Sequence, residues 1–130
     1  VYWKKSARIY MALENYDEAD FAYKQAVDLG NYELDTWLNW ADVLRRVGDF
    51  GSSIQVLVQG LEFYPKNAEL IYKLAGVYLK NNEVLNAKEK LAQAMHMDVE
   101  KLQLFEEEFP EFQKVAWLRN LVSEIKKTST

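Results

Sequence analysis

The stretch Trp37–Pro65, which reads WLNWADVLRRVGDFGSSIQVLVQGLEFYP, decides the fold of this chain. When this stretch is aligned with the preceding part of the chain so that Trp37 matches Trp3, Ala41 also matches Ala7. The same displacement toward the C-terminus matches Ala41 with Ala75, so a third copy of the pattern follows. A constant period of about this length is typical of a repeat architecture, in which each repeat is one small unit of secondary structure. We therefore expect three such units along the chain.

Each repeat places small residues at three positions, with larger side chains between them. The small residues are Ala7, Ala41 and Ala75 at the first position, Ala19, Ser53 and Ala87 at the second, and Ala26, Gly60 and Ala94 at the third. Small side chains let two helices approach closely, while larger neighbours fill the spaces that remain. The pattern predicts three helix pairs, formed by residues 2–13 and 17–29, 34–47 and 50–63, and 68–80 and 84–96.

This pattern resembles the tetratricopeptide repeat, whose motif runs W-x2-L-G-x2-Y, then A-x3-F, then P. The matching residues are Trp3, Ala7, Tyr10, Ala19, Tyr23 and Ala26; Trp37, Ala41, Leu44, Ser53, Leu57, Gly60 and Pro65; and Ile71, Leu74, Ala75, Tyr78, Ala87, Leu91 and Ala94. The departures are Ser6 and Trp40 in place of leucine, and Asn31 and Val99 in place of the final proline. The resemblance implies an all-α fold, a right-handed α-solenoid of three tetratricopeptide helix-turn-helix repeats at residues 1–33, 34–67 and 68–98.

The repeat pattern is lost after Asp98, and two further helices are expected there. Residues 99–109 form one candidate helix, which should end before the next residue because that residue is a proline. Residues 111–127 form a second, amphipathic candidate. A terminal repeat needs a cover over its apolar side. We therefore predict C-terminal capping helices over 99–127 and a frayed tail at 128–130.

The composition excludes several classes of protein. The chain has no cysteine, which rules out disulfides and thiolate metal sites and fits a reducing compartment. A net charge of -4 argues against a nucleic-acid-binding domain. No run of about 18 apolar residues is present, so no membrane segment is expected. We expect a cytoplasmic protein, although a chain that begins with Val suggests a piece of a longer protein, whose targeting signals would lie outside it.

The sequence offers little for catalysis. The single histidine, His96, has no assignable partner that would make it a general base, so a capping or exposed position is expected. One histidine with scattered carboxylates makes no metal site, and no cofactor is expected. The run Glu106–Glu108 could be an acidic docking patch or a weak calcium contact, but a solvated helix face is preferred. An enzyme would need a cofactor or a titratable cluster from another domain.

The tryptophans separate into two groups. Trp3 and Trp37 occupy the core position of the motif, so both are predicted to pack. Trp40 and Trp117 stay open between a core position and a groove or partner surface, where tryptophan is often an anchor. Core packing is the default interpretation for both.

The distribution of charge is the strongest functional signal. The first helices of the repeats, residues 1–13, 34–47 and 68–80, contain seven basic and three acidic residues, whereas the rest of the chain contains nine and seventeen. In the tetratricopeptide family such helices line a concave groove. A basic groove would focus its field on an acidic, extended peptide or protein segment. The alternative is that these cations only pair with neighbouring carboxylates.

The contact residues predicted for this groove lie on the helix face turned away from the partner helix. They are Lys4, Arg8, Leu38, Asn39, Asp42, Arg45, Tyr72, Lys73 and Gly76. Arg45 and Lys73 are expected to hold acidic groups. Gly76 is expected to let a ligand backbone come close.

One subclass of the family holds the terminal carboxylate of chaperone tails with two lysines, two asparagines and one arginine. Lys4 and Asn39 match this clamp, whereas Arg8 replaces an asparagine and Lys73 replaces the arginine. Glu69 replaces the second lysine and puts a negative charge where the ligand carboxylate would lie. A degenerate clamp of the co-chaperone type is therefore ranked below a general peptide site.

The predicted function is a non-catalytic protein–protein interaction scaffold. Its partner would be a protein or peptide, with no nucleic acid and no membrane involved. The alternative is a structural module in which an apolar end, formed by Val1, Tyr2 and Trp3, drives self-association or is covered by preceding repeats of a longer array.

Overall fold

The computed structural model describes residues 2–128, which form eight α-helices connected by short turns. The helices are α1 Tyr2–Ala12, α2 Tyr16–Asp28, α3 Leu34–Arg46, α4 Phe50–Phe63, α5 Ala68–Lys80, α6 Val84–Met97, α7 Leu102–Glu108 and α8 Ala116–Thr128. Short 3-10 turns at Val99–Lys101 and Pro110–Phe112 flank α7. The predicted all-α class and helix pairing are confirmed. The last predicted helix, 111–127, is instead α8, which begins later and includes Thr128 of the predicted tail, because residues 110–112 form a 3-10 turn. Residues 129–130 of that tail lie outside the described residues.

The helices group into two compact units, unit 1 at residues 1–65 and unit 2 at residues 66–130. In unit 1, α1 packs against α2, α2 against α3, and α3 against α4. In unit 2, α5 packs against α6, while α7 lies on α5 and α8 lies on α6. Both units therefore contain helix pairs of the predicted kind, and the two terminal helices each cover one member of the last pair.

The turns use residues that suit helix ends. The side-chain oxygen of Asn67 accepts a hydrogen bond from the backbone N–H of Leu70 at 2.9 Å and so caps α5, as expected for asparagine. The carboxylate of Asp49 caps α4 in the same way, through the N–H of Ser52 at 3.1 Å. Gly30 follows α2 with φ of 95°, the left-handed conformation that glycine adopts without steric cost. These local choices set the length of each helix.

The small residues of all three repeats are buried, as their spacing predicts. Gly60 shows why their size matters, because a Cβ atom there would lie 3.0 Å from the side chain of Trp37. Ser53 is the polar member of the set, and its hydroxyl donates to the carbonyl oxygen of Ala41 at 2.8 Å. Its burial therefore leaves no polar group unpaired. The repeat spacing thus defines the contacts within each helix pair.

Trp37 lies in an aromatic cluster of unit 1. Its side chain is 2% exposed. Its ring stacks with Tyr32, Trp40 and Phe63 at centroid separations of 6.2, 6.3 and 5.7 Å. Trp3 is half-buried and packs against the core of the first helix pair. The prediction that both tryptophans pack is confirmed, with Trp37 inside the core and Trp3 at its edge.

The repeat spacing extends into unit 2 beyond the third repeat. Phe105 lies one repeat length after Ile71, and both are buried. Phe109 lies one repeat length after Ala75, at a position where the three repeats carry alanine. Because alanine is absent at this position, the repeat pattern cannot be recognised there from the sequence. The burial pattern of the repeats therefore continues into α7, although α7 has only 7 residues.

Two features bear on the classes of function considered above. No helix within residues 2–128 is long and apolar enough to cross a membrane. His96 is exposed in the last turn of α6, one of the two positions expected for it.

Candidate peptide-binding site

The predicted contact residues fall into three groups, on α1, α3 and α5. On α1, the Lys4 Nζ atom lies 2.9 Å from Asp35 Oδ1 and 3.3 Å from Glu33 Oε1. Burial lowers the pKa of Lys4, but the hydrogen bonds to these two carboxylates outweigh it and raise the pKa above its usual value. Arg8, one turn further along α1, is exposed. The charge of Lys4 is thus compensated within unit 1.

The α3 group contains both engaged and accessible residues. Asp42 and Arg45 form an ion pair, with 3.5 Å between Asp42 Oδ1 and Arg45 Nη2. Leu38 is 9% exposed, so little of its surface is accessible. Asn39 is half-buried and lines a cavity that Arg8 also lines. The structure therefore brings Arg8 and Asn39 together.

On α5, Tyr72 and Lys73 contact the segment that follows α6. The Tyr72 hydroxyl donates a hydrogen bond to the carbonyl oxygen of Asp98 at 2.7 Å. Burial, and then the charge of Asp98, raise the pKa of Tyr72 far above its ordinary value. The Lys73 Nζ atom lies 2.7 Å from Glu108 Oε2, and the two side chains are 13% and 22% exposed. Both predicted contact residues already have partners within unit 2.

Gly76 lies directly beneath the ring of Phe109. A Cβ atom at Gly76 would lie 2.2 Å from that ring, far inside the contact distance of two carbon atoms. Phe105 and Phe109 are 2% and 0% exposed. The space left between α5 and α7 is about 30 Å³, enough for a water molecule and little more. A ligand backbone would have to displace Phe109 to reach Gly76.

The acidic run on α7 is only partly a solvated face. Glu107 is exposed and accepts a hydrogen bond from Gln103 within the helix. Glu108 instead contacts Lys73, because the packing of α7 on α5 places its carboxylate against the ammonium group. The expectation of a solvated face is therefore wrong for Glu108.

Pairing with carboxylates holds for four of the seven basic residues on the first helices. These four are Lys4, Arg45, Lys73 and Lys80, whose partners are Asp35, Asp42, Glu108 and Glu111. The alternative left open by the sequence thus describes more than half of the predicted basic groove. Any uncompensated positive charge must come from the remaining three residues.

Replacement of Gly76 by alanine is expected to lower the free energy of unfolding by about 1–3 kcal/mol, because the added methyl group overlaps the Phe109 ring in a filled core. Gly51→Ala is the matched control. A Cβ atom at Gly51, in α4, meets nothing within 4 Å, and alanine favours a helix. Denaturant unfolding followed by circular dichroism measures both variants. Equal stability of the two would show that the Phe109 ring moves aside without cost.

An open cavity of about 350 Å³ lies among α1, α2 and α3 in unit 1. Its lining residues are Arg8, Met11, Ala12, Glu14, Tyr16, Tyr23, Asn39 and Arg46. The volume falls in the range of about 300–1,000 Å³ that is usual for ligand pockets. A cavity of about 380 Å³ in unit 2, lined by residues of α7 and α8 and of the turn between them, contains none of the predicted contact residues.

The unit 1 cavity holds two arginines whose charge is uncompensated. Within residues 2–128, no carboxylate forms an ion pair with Arg8 or Arg46. The Arg46 Nη1 atom donates to the Tyr16 hydroxyl at 3.5 Å, the outer limit for such a bond. Glu14 also lines the cavity, and its side chain is exposed. The lining therefore combines two positive charges with one negative charge.

The same lining includes a polar atom without a partner. Tyr23 is 0% exposed, and its hydroxyl has no hydrogen-bond partner in the part of the chain that the structure describes. Burial raises the pKa of Tyr23, and the nearby Asn39 and Arg8 oppose that shift. Asn39 nevertheless does not reach the hydroxyl in hydrogen-bonding geometry. An unpaired buried hydroxyl costs about 1–3 kcal/mol, so a ligand that accepts its hydrogen bond would recover stability.

Sequence reasoning did not single out Tyr23 or Arg46 as site residues. The sequence does contain a signal for Tyr23, because the same repeat position holds Leu57 and Leu91 and a tyrosine there adds a hydroxyl that needs a partner. No comparable signal marks Arg46. Its place on the cavity depends on how α3 packs on the first helix pair.

The two tryptophans left open by the sequence both have partners within their own units. Trp40 packs against the core of the first helix pair, and its indole N–H donates to Asp20 Oδ1 at 2.7 Å. Trp117 is half-buried, with the Lys88 Nζ atom 5.0 Å from its ring centroid. Among the described residues, no three histidine, aspartate, glutamate or cysteine side chains cluster as metal ligands would.

Comparison with known proteins agrees with this geometry. Residues 1–31 match the family model of the tetratricopeptide repeat. The first TPR domain of Spaghetti (RPAP3), solved with the HSP90 peptide SRMEEVD, has a TM-score of 0.69 and 13% identity over 97% of this chain and 89% of its own. The Yersinia enterocolitica chaperone SycD, solved with a peptide of the translocator YopD, has a TM-score of 0.70 and 17% identity over 98% and 92%. Residues 1–31 therefore match the tetratricopeptide repeat, and the chain as a whole has the fold of the tetratricopeptide-repeat structures.

A longer curated protein shows a more distant similarity. The BBSome complex member BBS4 homolog of Drosophila melanogaster is 27% identical over 88 residues. The match covers 68% of this chain but only 18% of the Drosophila protein. The chain thus corresponds to less than a fifth of that relative's length.

Proposed function

We propose that this chain is a non-catalytic protein-interaction scaffold that binds an acidic peptide or protein segment. The binding face is formed by α1 and α3 and is the unit 1 part of the predicted concave groove. The observation that carries the proposal is the open cavity of about 350 Å³, lined by Arg8, Asn39 and Arg46, on this face. The predicted contact residues of α5 are instead covered by α7.

Proteins of similar fold support a peptide ligand. RPAP3 was solved with the HSP90 peptide SRMEEVD, which contains two glutamates and a C-terminal aspartate, and SycD was solved with a peptide of YopD. The yeast Sti1 TPR2B domain, with a TM-score of 0.67, was solved in complex with an Hsp70 peptide. A face of preformed helices loses little entropy when it binds an extended segment. The cytoplasmic location expected from the sequence is part of this proposal.

Acidic heptapeptides such as SRMEEVD are expected to bind more tightly than neutral analogues such as SRMQQVN, with affinities that fall as salt rises. Arg8→Glu should weaken binding about tenfold or more, because it replaces an uncompensated cation with a charge that repels the ligand. Lys66→Glu makes the same charge change at an exposed residue outside the helices and should alter affinity by less than about twofold. Fluorescence anisotropy with an array of labelled acidic and neutral peptides measures these affinities.

The array also separates this proposal from a carboxylate clamp. A C-terminal amide of SRMEEVD should bind as well as the free acid, because Glu69 stands where the clamp would have a lysine. Equal affinity for acidic and neutral peptides would disprove the acidic preference. A failure of every peptide in the array to bind would remove the peptide-binding proposal itself.

A second candidate is a structural module that associates through the first repeat. Tyr2 and Ile9 are 71% and 59% exposed, and their spacing places them on one face of α1. Leu13, in the turn that follows α1, is 64% exposed. Phe21 is 56% exposed beside them, with its ring 5.8 Å from that of Trp3. Val1, the remaining residue of the predicted apolar end, lies outside the described residues. An exposed apolar surface of this kind is typical of an association site.

Sedimentation velocity across a concentration series tests this candidate. If the chain self-associates through α1, Ile9→Glu should shift the population toward monomer. Leu85→Glu is the control, because Leu85 is 81% exposed on α6, in unit 2. A monomer at every concentration would rule out self-association.

A further inference from the structure

We propose that the cavity of unit 1 receives the phosphate group of a phosphorylated side chain in the bound peptide, held by Arg8, Arg46, Asn39 and Tyr23. This inference rests on the proposed peptide-binding function and names the group that the α1–α3 face recognises. Three observations carry it, namely two uncompensated guanidinium groups, a buried hydroxyl without a partner, and a cavity lined by the three residues that bear them.

The two guanidinium groups come from different helices, Arg8 from α1 and Arg46 from α3. A guanidinium presents a planar fork of N–H donors that matches the oxygens of phosphate and carboxylate groups. Neither arginine is ion-paired within residues 2–128, whereas four other cations of the first helices are. Two of the three first-helix cations that have no ion pair within residues 2–128 therefore line this cavity, where their charge is available to a ligand.

The Tyr23 hydroxyl extends this donor set into the protein interior. It is fully buried without a partner, yet Tyr23 lines the cavity and has Arg8 and Asn39 as its polar neighbours. A ligand oxygen that enters between the arginines can accept its hydrogen bond once the side chains that cover the hydroxyl move aside, because the hydroxyl has no accessible surface in the structure. The amide of Asn39 adds a donor at the same place. The unpaired Tyr23 hydroxyl would thus donate a hydrogen bond to the bound anionic group.

The number of donors favours phosphate over carboxylate. Two N–H groups from each arginine fork, one from the Asn39 amide and the Tyr23 hydroxyl together supply about six donors. The three terminal oxygens of a phosphate ester accept about that many hydrogen bonds, whereas a carboxylate has about four acceptor sites. The charge of nearly -2 on a phosphate also matches two guanidinium groups.

Glu14 is the one acidic residue of the lining, and its exposure means that water screens its charge. Met11, Ala12 and Tyr16 supply apolar surface that can contact the carbon atoms of the phosphorylated side chain. Glu14→Gln should therefore strengthen phosphate binding only modestly, by about twofold to threefold, because the repulsion that it removes is already screened by water.

The first experiment uses inorganic phosphate as the probe. Amide resonances are followed by two-dimensional NMR while phosphate is added at constant ionic strength, with chloride as the reference anion. We expect saturable shifts around Arg8, Asn39 and Arg46. We expect no saturable shift in Arg46→Ala, whereas Lys66→Ala should behave as the wild type. Equal responses to phosphate and chloride would overturn the proposal.

The second experiment uses three degenerate peptide libraries that differ only in a fixed central residue, which is phosphoserine, glutamate or serine. The immobilised chain should retain the phosphoserine library at least about tenfold more than the serine library, and more than the glutamate library. Arg8→Ala and Arg46→Ala should each reduce this preference about tenfold. Retention of all three libraries to the same extent would overturn the phosphate site while leaving the peptide-binding function standing.

Tyr23→Phe gives a readout that a structural role alone would not produce. Removal of an unpaired buried hydroxyl should leave the melting temperature unchanged or slightly higher, because no hydrogen bond is lost. The same variant should weaken binding of the phosphoserine library by about threefold to tenfold. Unchanged binding would exclude the hydroxyl as a ligand contact. Binding of inorganic phosphate without any preference for the phosphoserine library would reduce the site to an adventitious ion only and overturn the proposal.

Discussion

Replacement of Phe109 by alanine is expected to lower the free energy of unfolding of unit 2 by about 3–5 kcal/mol. Phe109 is 0% exposed, and its ring packs against Phe105 and Phe112 at centroid separations of 5.4 and 6.5 Å. The ring also covers Gly76, which has no side chain that could fill the space left by its removal. The loss should therefore lie near the upper end of this range.

Hydrogen exchange measured by mass spectrometry resolves this loss, because it reports the local stability of α5 and α7 separately from that of unit 1. Leu104→Ala is the control on the same helix. Leu104 is 53% exposed, and its replacement should change stability by no more than about 0.5 kcal/mol. A loss in Phe109→Ala no larger than that of this control would mean that α7 is only loosely held on α5. Tyr72 and Lys73 would then be accessible to a ligand, as the sequence predicted.

Trp37→Ala is expected to lower the free energy of unfolding of unit 1 by a similar amount, about 3–5 kcal/mol. Trp37 is 2% exposed and packs tightly against Gly60, where a Cβ atom would lie 3.0 Å away. Its ring also stacks with Tyr32 and Phe63. Loss of the indole removes contacts from both helices of the second pair, so neither helix alone can fill the cavity.

Denaturant unfolding of two further variants provides the comparison for Trp37→Ala. Trp37→Phe should retain most of the stability, because it keeps an aromatic ring and removes an indole N–H that has no partner among the described residues. Phe21→Ala is the exposed control, since Phe21 is 56% exposed. If Trp37→Ala is no less stable than Phe21→Ala, the aromatic cluster does not hold the second helix pair together.

Much of the fold follows from repeat spacing alone. The small residues recur at a fixed interval, and a helix pair can pack closely only where both partners are small, so the columns that begin with Ala7, Ala19 and Ala26 predict which faces meet. Asn67 and Gly30 likewise act locally, because capping needs only a side chain or backbone conformation at one position. These features depend on near neighbours in sequence, and the structure agrees with them.

The terminal helices were harder to predict for the opposite reason. Phe109 occupies a position where the repeats have alanine, so the sequence shows no repeat there, yet its ring fills the space above Gly76. A glycine on a predicted groove face suggests room for a ligand. Whether that room is empty depends on a segment that lies far from Gly76 in sequence, beyond the whole of α6, and no local pattern reports such a contact.

The candidate site shows the same division. Arg8 and Asn39 could be predicted from helix faces, because each face follows from the helical period. The pairing of Lys73 with Glu108 and the grouping of Arg8 with Arg46 depend on which helices pack together. Charge counts along the sequence therefore predicted a basic face but could not predict which of its cations remain uncompensated.

The sequence by itself determined the all-α class, the helix pairs and the buried small residues, because these depend on a period that is written into the chain. Only the tertiary structure decided where a ligand has access. It covers the α5 face with α7 and leaves a cavity beside Arg8 and Arg46. The physical reason is that packing within a pair is a local and repeated interaction, whereas burial of a site and compensation of a charge depend on side chains brought together from distant parts of the sequence.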